Sequence, residues 1–252
     1  MNELTDEQLL RYSRQLHVTG VDVAGQERLL ASRVLIIGLG GLGSPVATYL
    51  AAAGVGHLVL CDHDQVDLSN LQRQIVHATA DVGRPKVESA RDRLMAINPE
   101  PRIDTIARQL TDEELLEQVR LADCVVDCTD NFGIRFALNE ACVRAATPLV
   151  SGAAIRMEGQ VAVFMGHLPD QPCYRCLYKD ENELGERCAE SGVLAPVPGV
   201  IGCVQAVETL KVLLNLGRTL AGRLLLWDAH LMEWRSLKLK KDPACPVCGT
   251  GG

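Results

Sequence analysis

The sequence has no excess of positive charge, no leader-like N-terminus and no unbroken apolar run long enough to cross a membrane. It carries 25 Lys and Arg against 32 Asp and Glu side chains, for a net charge of −7. This balance argues against a general nucleic-acid or membrane-surface binder, so an anionic ligand must be held by a local basic cluster. Residues 1–7 lack a basic n-region and an apolar h-region, and we expect no signal peptide. The longest apolar window, residues 46–61, is interrupted by Gly54, Gly56 and His57, which indicates a helix followed by a strand.

Cysteine, in contrast, is plentiful. Ten cysteines in a chain without a leader favour metal ligands or thiol chemistry in a reducing, cytoplasmic setting over a disulfide framework. Two C-x-x-C pairs, Cys173/Cys176 and Cys245/Cys248, are typical of a four-thiolate Zn²⁺ site, whose full coordination indicates a structural role. A redox dithiol or an iron–sulfur cluster is the alternative. Five further cysteines lie in apolar runs and are expected to be small core residues: Cys61, Cys124, Cys128, Cys142 and Cys203.

The stretch from Arg33 to Arg73 has the pattern of a mononucleotide-binding βαβ unit. An apolar run at 34–37 leads into a glycine turn, a helix begins near Ser44, and a second apolar run ends at Asp62. Glycines allow the backbone to approach a phosphate, whose charge then lies against the N–H groups at the start of the helix. Asp62 is placed to accept hydrogen bonds from a ribose. Alone, this pattern predicts only a nucleotide, with NAD as the default. The turn residues are Gly38, Gly40, Gly41 and Gly43.

The segment beyond Asp62 argues against that default. Residues 64–74 form a long polar loop where a connection of a few residues is usual, and such loops are often functional. The helix predicted from Pro85 to about residue 97 carries Lys86 near its N-terminus, where a cation is electrostatically misplaced unless an anion lies beside it. Asp130 comes after an apolar strand at 124–128, at the carboxyl end where open α/β sheets bind ligands. Asp130 or its neighbour Asn131 could equally cap the next helix.

These patterns predict an α/β fold: a Rossmann-like, mainly parallel sheet with helices on both faces, extended by antiparallel strands and a structural zinc knuckle. We treat 1–252 as one domain, made of a helical N-terminal arm (1–32), a nucleotide-binding half (33–152) and a mixed sheet extension (153–252). The remaining expected elements are a helical, amphipathic stretch at 5–30, strands at 102–107 and 148–152, a capping box at Thr111, a strand at 160–165, a loop at 179–198, a helix at 200–215 and antiparallel strands at 224–228 and 234–240.

These motifs occur together and in one order, and the set resembles the ubiquitin-activating-like (HesA/MoeB/ThiF) adenylyltransferases over nearly the whole chain. The residues that carry the resemblance are the glycine turn, Asp62, the sequence Ser69-Asn70-Leu71-Gln72-Arg73-Gln74, Lys86, Asp130-Asn131 and the paired cysteines. Within that family, residues 149–160 are similar to the molybdopterin branch, whereas Trp227-Asp228 and residues 234–237 lean toward the thiamine branch. The sequence ends just after the second cysteine pair, so we expect no fused sulfurtransferase domain.

The resemblance implies that ATP and the C-terminal Gly-Gly carboxylate of a small β-grasp sulfur carrier react to give an acyl-adenylate and pyrophosphate. It also implies a homodimer in which Arg14 reaches the site of the second subunit, with Arg73 and Lys86 as phosphate cations and Asp130 as the Mg²⁺ ligand. Neither a nucleic acid nor a membrane is an expected partner. The other nucleotide-site residues implied are Asp62, Asp64, Ser69, Asn70, Leu71, Gln72 and Asn131.

Cys188 has two interpretations. Some relatives form a thioester or acyl-persulfide from a loop thiol, but this cysteine could equally have no catalytic duty, since only Arg187 lies beside it to lower its pKa. The terminal Gly251-Gly252 is interpreted as a frayed end and not as a carrier tail.

Two other functions compete with adenylylation. The glycine turn and Asp62 would suit an NAD-dependent oxidoreductase, although no second catalytic domain is recognisable. A zinc-stabilised interaction protein with a vestigial nucleotide site is the third possibility, and the presence of Arg73, Lys86 and Asp130 argues against it.

Overall fold

The strands of the protein form one continuous mixed sheet. The computed structural model describes residues 4–179 and 192–249. Its strands are β1 Arg33–Ile37, β2 His57–Cys61, β3 Arg102–Ile106, β4 Cys124–Asp127, β5 Leu149–Ile155, β6 Glu158–Phe164, β7 Arg223–Asp228 and β8 Glu233–Lys238. The sheet order is β3-β2-β1-β4-β5-β6-β7-β8. The pairs from β3 to β5 are parallel and those from β5 to β8 antiparallel, which confirms the predicted fold class.

Helices cover both faces of the parallel part. They are α1 Asp6–Arg11, α2 Ser13–Leu16, α3 Asp22–Ala31, α4 Gly43–Ala52, α5 Lys86–Ile97, α6 Asp112–Arg120, α7 Phe132–Ala145, α8 Tyr174–Leu177 and α9 Pro196–Leu214. Successive residues of β1 point to opposite faces, so Val34 packs into the core under α4, α5 and α9 while Leu35 packs into the core under α6 and α7. Strands buried on both faces read as unbroken apolar runs, which is why the sequence showed them clearly.

The order in which successive strands are placed in the sheet reverses between β1 and β4. β2 and β3 lie on one side of β1, and β4 lies on the other. In the parallel register, Ile37 pairs with Cys61 on β2 and with Asp127 on β4. The carboxyl ends of three strands therefore meet at one edge, and a crevice opens there in sheets of this type.

Two elements differ from the sequence prediction. The N-terminal arm is three helices, because the chain breaks at Tyr12 and again before Asp22, where Gly20 has φ +87°. The helix predicted at 200–215 begins at Pro196, inside the stretch expected to be a loop. Proline is tolerated in the first turn of a helix, so the prolines here start the helix and do not interrupt it.

Among the described residues, one helix is long and apolar enough to cross a membrane by length and composition. This helix is α9, with half of its most apolar window buried inside the protein. It packs against β5, β6 and α4. At Gly202 a Cβ atom would overlap the carbonyl oxygen of Leu42, so α9 lies directly against the glycine turn. Such packing is that of a core helix.

Candidate active site

A cavity of about 730 Å³ opens at the carboxyl ends of β1, β2 and β4. It is the crevice expected where the strand order reverses. Nine of the predicted site residues line it: Gly38, Gly40, Gly41, Asp62, Asp64, Arg73, Lys86, Asp130 and Asn131. The cavity thus brings together segments that come after three different strands.

The glycine turn is held tightly at two of its residues. Gly38 has φ +91°, a left-handed conformation that favours glycine, and its N–H donates to the carbonyl oxygen of Cys61 at 2.8 Å. Gly43 does not line the cavity. A Cβ atom there would overlap the carbonyl oxygen of Gly38, so this glycine lets α4 begin directly against the turn.

Asp62 anchors the turn from the neighbouring strand. One of its carboxylate oxygens accepts the N–H of Leu39 at 2.7 Å, and the other accepts the N–H of Asp64 at 2.9 Å. A carboxylate has about four acceptor positions, so two remain for ligand hydroxyls.

Lys86 is buried at the start of α5 and has a carboxylate beside it. Its Nζ donates to Asp64 Oδ2 at 2.7 Å, and its side chain is 7% exposed. The hydrogen bond from Lys86 lowers the pKa of the Asp64 carboxyl, against the opposing effect of partial burial. The anion expected beside this lysine is thus partly supplied by the protein itself, and the pair faces the cavity.

Arg73 is presented to the cavity by a short 3₁₀ turn, Leu68–Asn70. Its Nη1 donates to the carbonyl oxygen of Ser69 at 3.2 Å, and its backbone N–H donates to the carbonyl oxygen of Asn70 at 3.1 Å. Four predicted nucleotide-site residues of this loop, Ser69, Asn70, Leu71 and Gln72, do not line the cavity. The carbonyl oxygens of Ser69 and Asn70 instead hold the side chain and the backbone of Arg73, respectively.

Asp130 and Asn131, which come after β4, differ in their contacts. Asn131 caps α7, since its Oδ1 accepts the N–H of Ile134 at 3.2 Å. Asp130 is exposed at the cavity, and within residues 4–179 and 192–249 its carboxylate has no hydrogen-bond or ion-pair partner. It is free to bind a ligand.

A buried polar network below Asp130 was not predicted from the sequence. Asp127, 1% exposed, accepts hydrogen bonds from the hydroxyls of Thr129 and Ser151, both at 2.7 Å. Arg135 lies 3.6 Å from the same carboxylate and donates to the carbonyl oxygens of Thr129 and Gly152. The one signal of this network in the sequence was Asp127, a charged residue in an apolar strand.

His77 was also missed. Its Nε2 lies 3.1 Å from the carbonyl oxygen of Leu39, and its Nδ1 lies 2.8 Å from Ser89 Oγ on α5. Burial is the main cause of its lowered pKa. Asp62 therefore contacts the N–H of Leu39, and His77 contacts its carbonyl oxygen. No local motif marks it, because its partners are distant in sequence.

Two further predicted site residues, Arg14 and Cys188, are not placed at this cavity by the part of the chain that the structure describes. Arg14 is exposed on α2 and does not line the cavity of its own chain. Cys188 lies outside the described residues, as does the terminal Gly251-Gly252.

The four paired cysteines form a compact cluster. The Sγ atoms of Cys173 and Cys245 are 3.6 Å apart, those of Cys176 and Cys248 are 3.4 Å apart, and all four lie within 4.8 Å of one another. A tetrahedral site with Zn–S bonds of about 2.3 Å needs sulfur–sulfur separations of about 3.8 Å. The donor set and its spacing therefore fit Zn²⁺.

The other described cysteines are thiols of the core. Cys61, Cys124, Cys128 and Cys142 are buried, whereas Cys203 is half-buried. Burial raises the pKa of the Cys61 thiol to about 12, which makes it unreactive.

Comparison with known proteins agrees with the fold. The ThiF family profile matches residues 12–247. Molybdopterin-synthase adenylyltransferase of Escherichia coli K12 is 51% identical over 249 residues, covering 99% of this chain and 100% of that protein. The sulfur carrier protein ThiS adenylyltransferase of the same strain is 47% identical, covering 98% and 97%. The crystal structure of E. coli MccB with ATP superimposes with a TM-score of 0.83 at 26% identity, covering 95% of this chain and 73% of that one. The chain belongs to the ThiF family.

Proposed function

We propose that this protein uses ATP to adenylylate the C-terminal Gly-Gly carboxylate of a small β-grasp sulfur carrier, for molybdopterin synthesis. The observation that carries the proposal is that Arg73 and Lys86 line the same cavity as the glycine turn, in a chain of net charge −7. The reaction must bring a triphosphate and a carboxylate together, so local cations are its main requirement. The relative that is 51% identical is named for this class of reaction.

The chemistry needs no general base. A C-terminal carboxylate has a pKa of about 3.5, so it is already an ionised nucleophile at neutral pH. Its oxygen attacks the α-phosphorus, and the bond from that phosphorus to the bridging oxygen of the leaving pyrophosphate breaks. The protein must supply alignment of the two anions and stabilisation of charge on pyrophosphate.

The cavity residues suit these tasks. Arg73 and Lys86 would hold the phosphates, while the free acceptor positions of Asp62 would bind the ribose hydroxyls. Arg14 would add a cation from the second subunit of a homodimer, and its exposure on α2 leaves it available for that role.

Asp130 would hold Mg²⁺ beside the nucleotide phosphates. An exposed carboxylate at the cavity, unpartnered within the described residues, fits a cation that prefers oxygen ligands and keeps several waters. Bound there, Mg²⁺ would neutralise part of the triphosphate charge.

Zinc in the four-cysteine cluster would be structural. Four thiolates fill a tetrahedral site and leave no position for water or substrate. The metal would fasten the segment at 245–248 to the segment at 173–176.

The thiamine-pathway carrier is the second candidate substrate. A relative that is 47% identical acts, by its name, on the sulfur carrier ThiS. The same cavity residues would serve either carrier, so the experiment compares the two carriers directly. Catalysis by Cys188 and a cytoplasmic location remain proposals alongside it.

The test is exchange of labelled pyrophosphate into ATP, measured with each purified Gly-Gly carrier separately. We expect exchange that requires a carrier and is greater with the molybdopterin carrier. Arg73→Ala should lower kcat by about 100- to 1,000-fold, the usual loss for a preorganised charge-stabilising group.

A matched control is Arg91→Ala, because Arg91 lies on α5 and does not line the cavity. This variant should exchange at the wild-type rate. Absence of carrier-dependent exchange with either carrier, or nicotinamide cofactor binding without ATP binding, would refute the proposed function.

A further inference from the structure

One buried asparagine connects the four-cysteine cluster to α7. Asn139 lies in that helix and is 1% exposed. Its Nδ2 donates to Cys173 Sγ at 3.6 Å, and its Oδ1 accepts the N–H of Tyr174 at 2.7 Å. Both polar atoms of the side chain are thus engaged with the segment that carries the first cysteine pair.

The same face of α7 reaches the cavity. Arg135 and Asn139 are four residues apart in α7, a spacing that places them on one side of the helix, and Asn131 caps its start. Asn131 and Arg135 line the cavity. Arg135 also donates to the carbonyl oxygen of Thr129, the residue directly before Asp130. One side of α7 therefore touches the cavity at its start and the cysteine cluster two turns later.

The segment held by Asn139 continues into the cavity wall. The ring of Tyr174 packs edge-on against Phe136 and Phe164, with centroids 5.6 and 5.5 Å away, and its centroid is 4.8 Å from that of Tyr178. Tyr178 lines the cavity, and its hydroxyl is hydrogen-bonded to the side-chain amide of Gln160, which lines the cavity too. A shift of α8 would therefore move part of this wall.

We propose that Asn139 is a positioning residue for both sites. Through Nδ2 it orients Cys173 for the metal, because groups that donate to a ligand fix its direction and tune its charge. Through Oδ1 it fixes the start of α8, so that Tyr178 and Gln160 form the part of the cavity wall that receives the carrier tail. The proposal rests on the proposed function for zinc in the cluster and for the carrier as the ligand of that wall.

The variant that tests it is Asn139→Leu, which keeps the branched shape and the number of heavy atoms and removes both hydrogen bonds. The first measurement is the rate of zinc release from the purified enzyme to a chromogenic chelator, without ATP or carrier. We expect release about 10- to 100-fold faster than from the wild type, the usual effect of losing a group that supports a metal ligand. The second is steady-state kinetics, in which KM for the carrier should rise several-fold while KM for ATP stays unchanged.

The matched control is Asn98→Leu. Asn98 is equally buried, and its Nδ2 donates to the carbonyl oxygen of Ala51 and to the hydroxyl of Tyr12, which belongs to the N-terminal arm. This variant should lose stability but release zinc at the wild-type rate.

Three outcomes would overturn the proposal. Equal acceleration in both variants would assign zinc release to a general loss of stability, and wild-type release from Asn139→Leu would remove the link to the metal. Faster release with an unchanged carrier KM would remove the link to the cavity. A wild-type enzyme that adenylylates no carrier would instead refute the proposed function and the carrier half of this inference, while the zinc comparison would still decide the metal half.

Discussion

The parallel and antiparallel halves of the sheet hold their functional groups in different ways. In the parallel half, Gly38, Asp62 and Asp130 each come after the end of a strand, and the register of that sheet brings the strand ends together. In the antiparallel half, the cysteine cluster joins residues that are 72 positions apart, such as Cys173 and Cys245. Each group in the first arrangement is positioned by the strand directly before it, whereas the second arrangement requires two distant cysteine pairs to come together without pairing of their strands.

This difference has an energetic consequence. The cavity cations are held by few contacts, Arg73 by the carbonyl oxygen of Ser69 and Lys86 by the carboxylate of Asp64, so changing one of these groups should alter chemistry more than stability. The cluster closes a long loop, and metal binding to such a site contributes directly to the free energy of folding. Changing one of its ligands should therefore alter stability first.

The largest effect is expected from Cys248→Ser. Loss of one thiolate should release zinc and lower the free energy of unfolding by about 4 kcal/mol or more, a size reserved for changes such as metal loss. Urea unfolding of the variant, and of wild type with and without a chelator, measures this. Chelation should reproduce the effect of the substitution.

Cys203→Ser is the control for that experiment, because it makes the same chemical change at a half-buried cysteine outside the cluster. Its free energy of unfolding should stay within about 1 kcal/mol of wild type. If the two serine variants were equally stable, the contrast between the halves would be lost.

Features that are encoded within a few residues were predicted best from the sequence. Buried strands, the glycine turn, the capping box at Thr111 and the cap at Asn131 are all encoded within a few residues, and the structure contains each of them. The start of α9 was misplaced because prolines were interpreted as loop residues. His77 and Asn139 could not be found, since each has a partner more than 30 residues away and none of their partners forms a local motif with them. The catalytic and binding roles assigned from the sequence remain predictions.

A smaller effect is expected at the glycine turn, from His77→Gln. Burial lowers the pKa of His77, so the unfolded chain binds a proton that the folded protein resists. The stabilisation from neutral His77 is therefore complete above about pH 6.5 and is lost as the pH falls from there toward the lowered folded pKa. The glutamine variant should be about 1 kcal/mol less stable at pH 8, where two hydrogen bonds are weakened. Unfolding curves at pH 8, 7, 6 and 5 should bring the two proteins closer as acid is added, and a constant difference would contradict this role for His77.

The smallest effect is expected from Asp64→Asn, because this carboxylate is about half exposed and its ion pair with Lys86 is partly screened by water. The hydrogen bond from Lys86 lowers the pKa of Asp64, so its stabilisation is present above the ordinary carboxyl pKa of about 3.9 and is lost as the pH falls through the lowered folded value. At pH 7 the variant should be less stable by under about 1 kcal/mol, and the difference should disappear in acid. The same substitution leaves Lys86 with a weaker partner at the cavity. The free energy of ATP binding should therefore change more than the free energy of unfolding does. Isothermal titration with ATP beside urea unfolding compares the two directly. A large loss of stability with unchanged ATP affinity would place Asp64 with the cysteine cluster, as a group that holds the fold, and would break the contrast between the two halves.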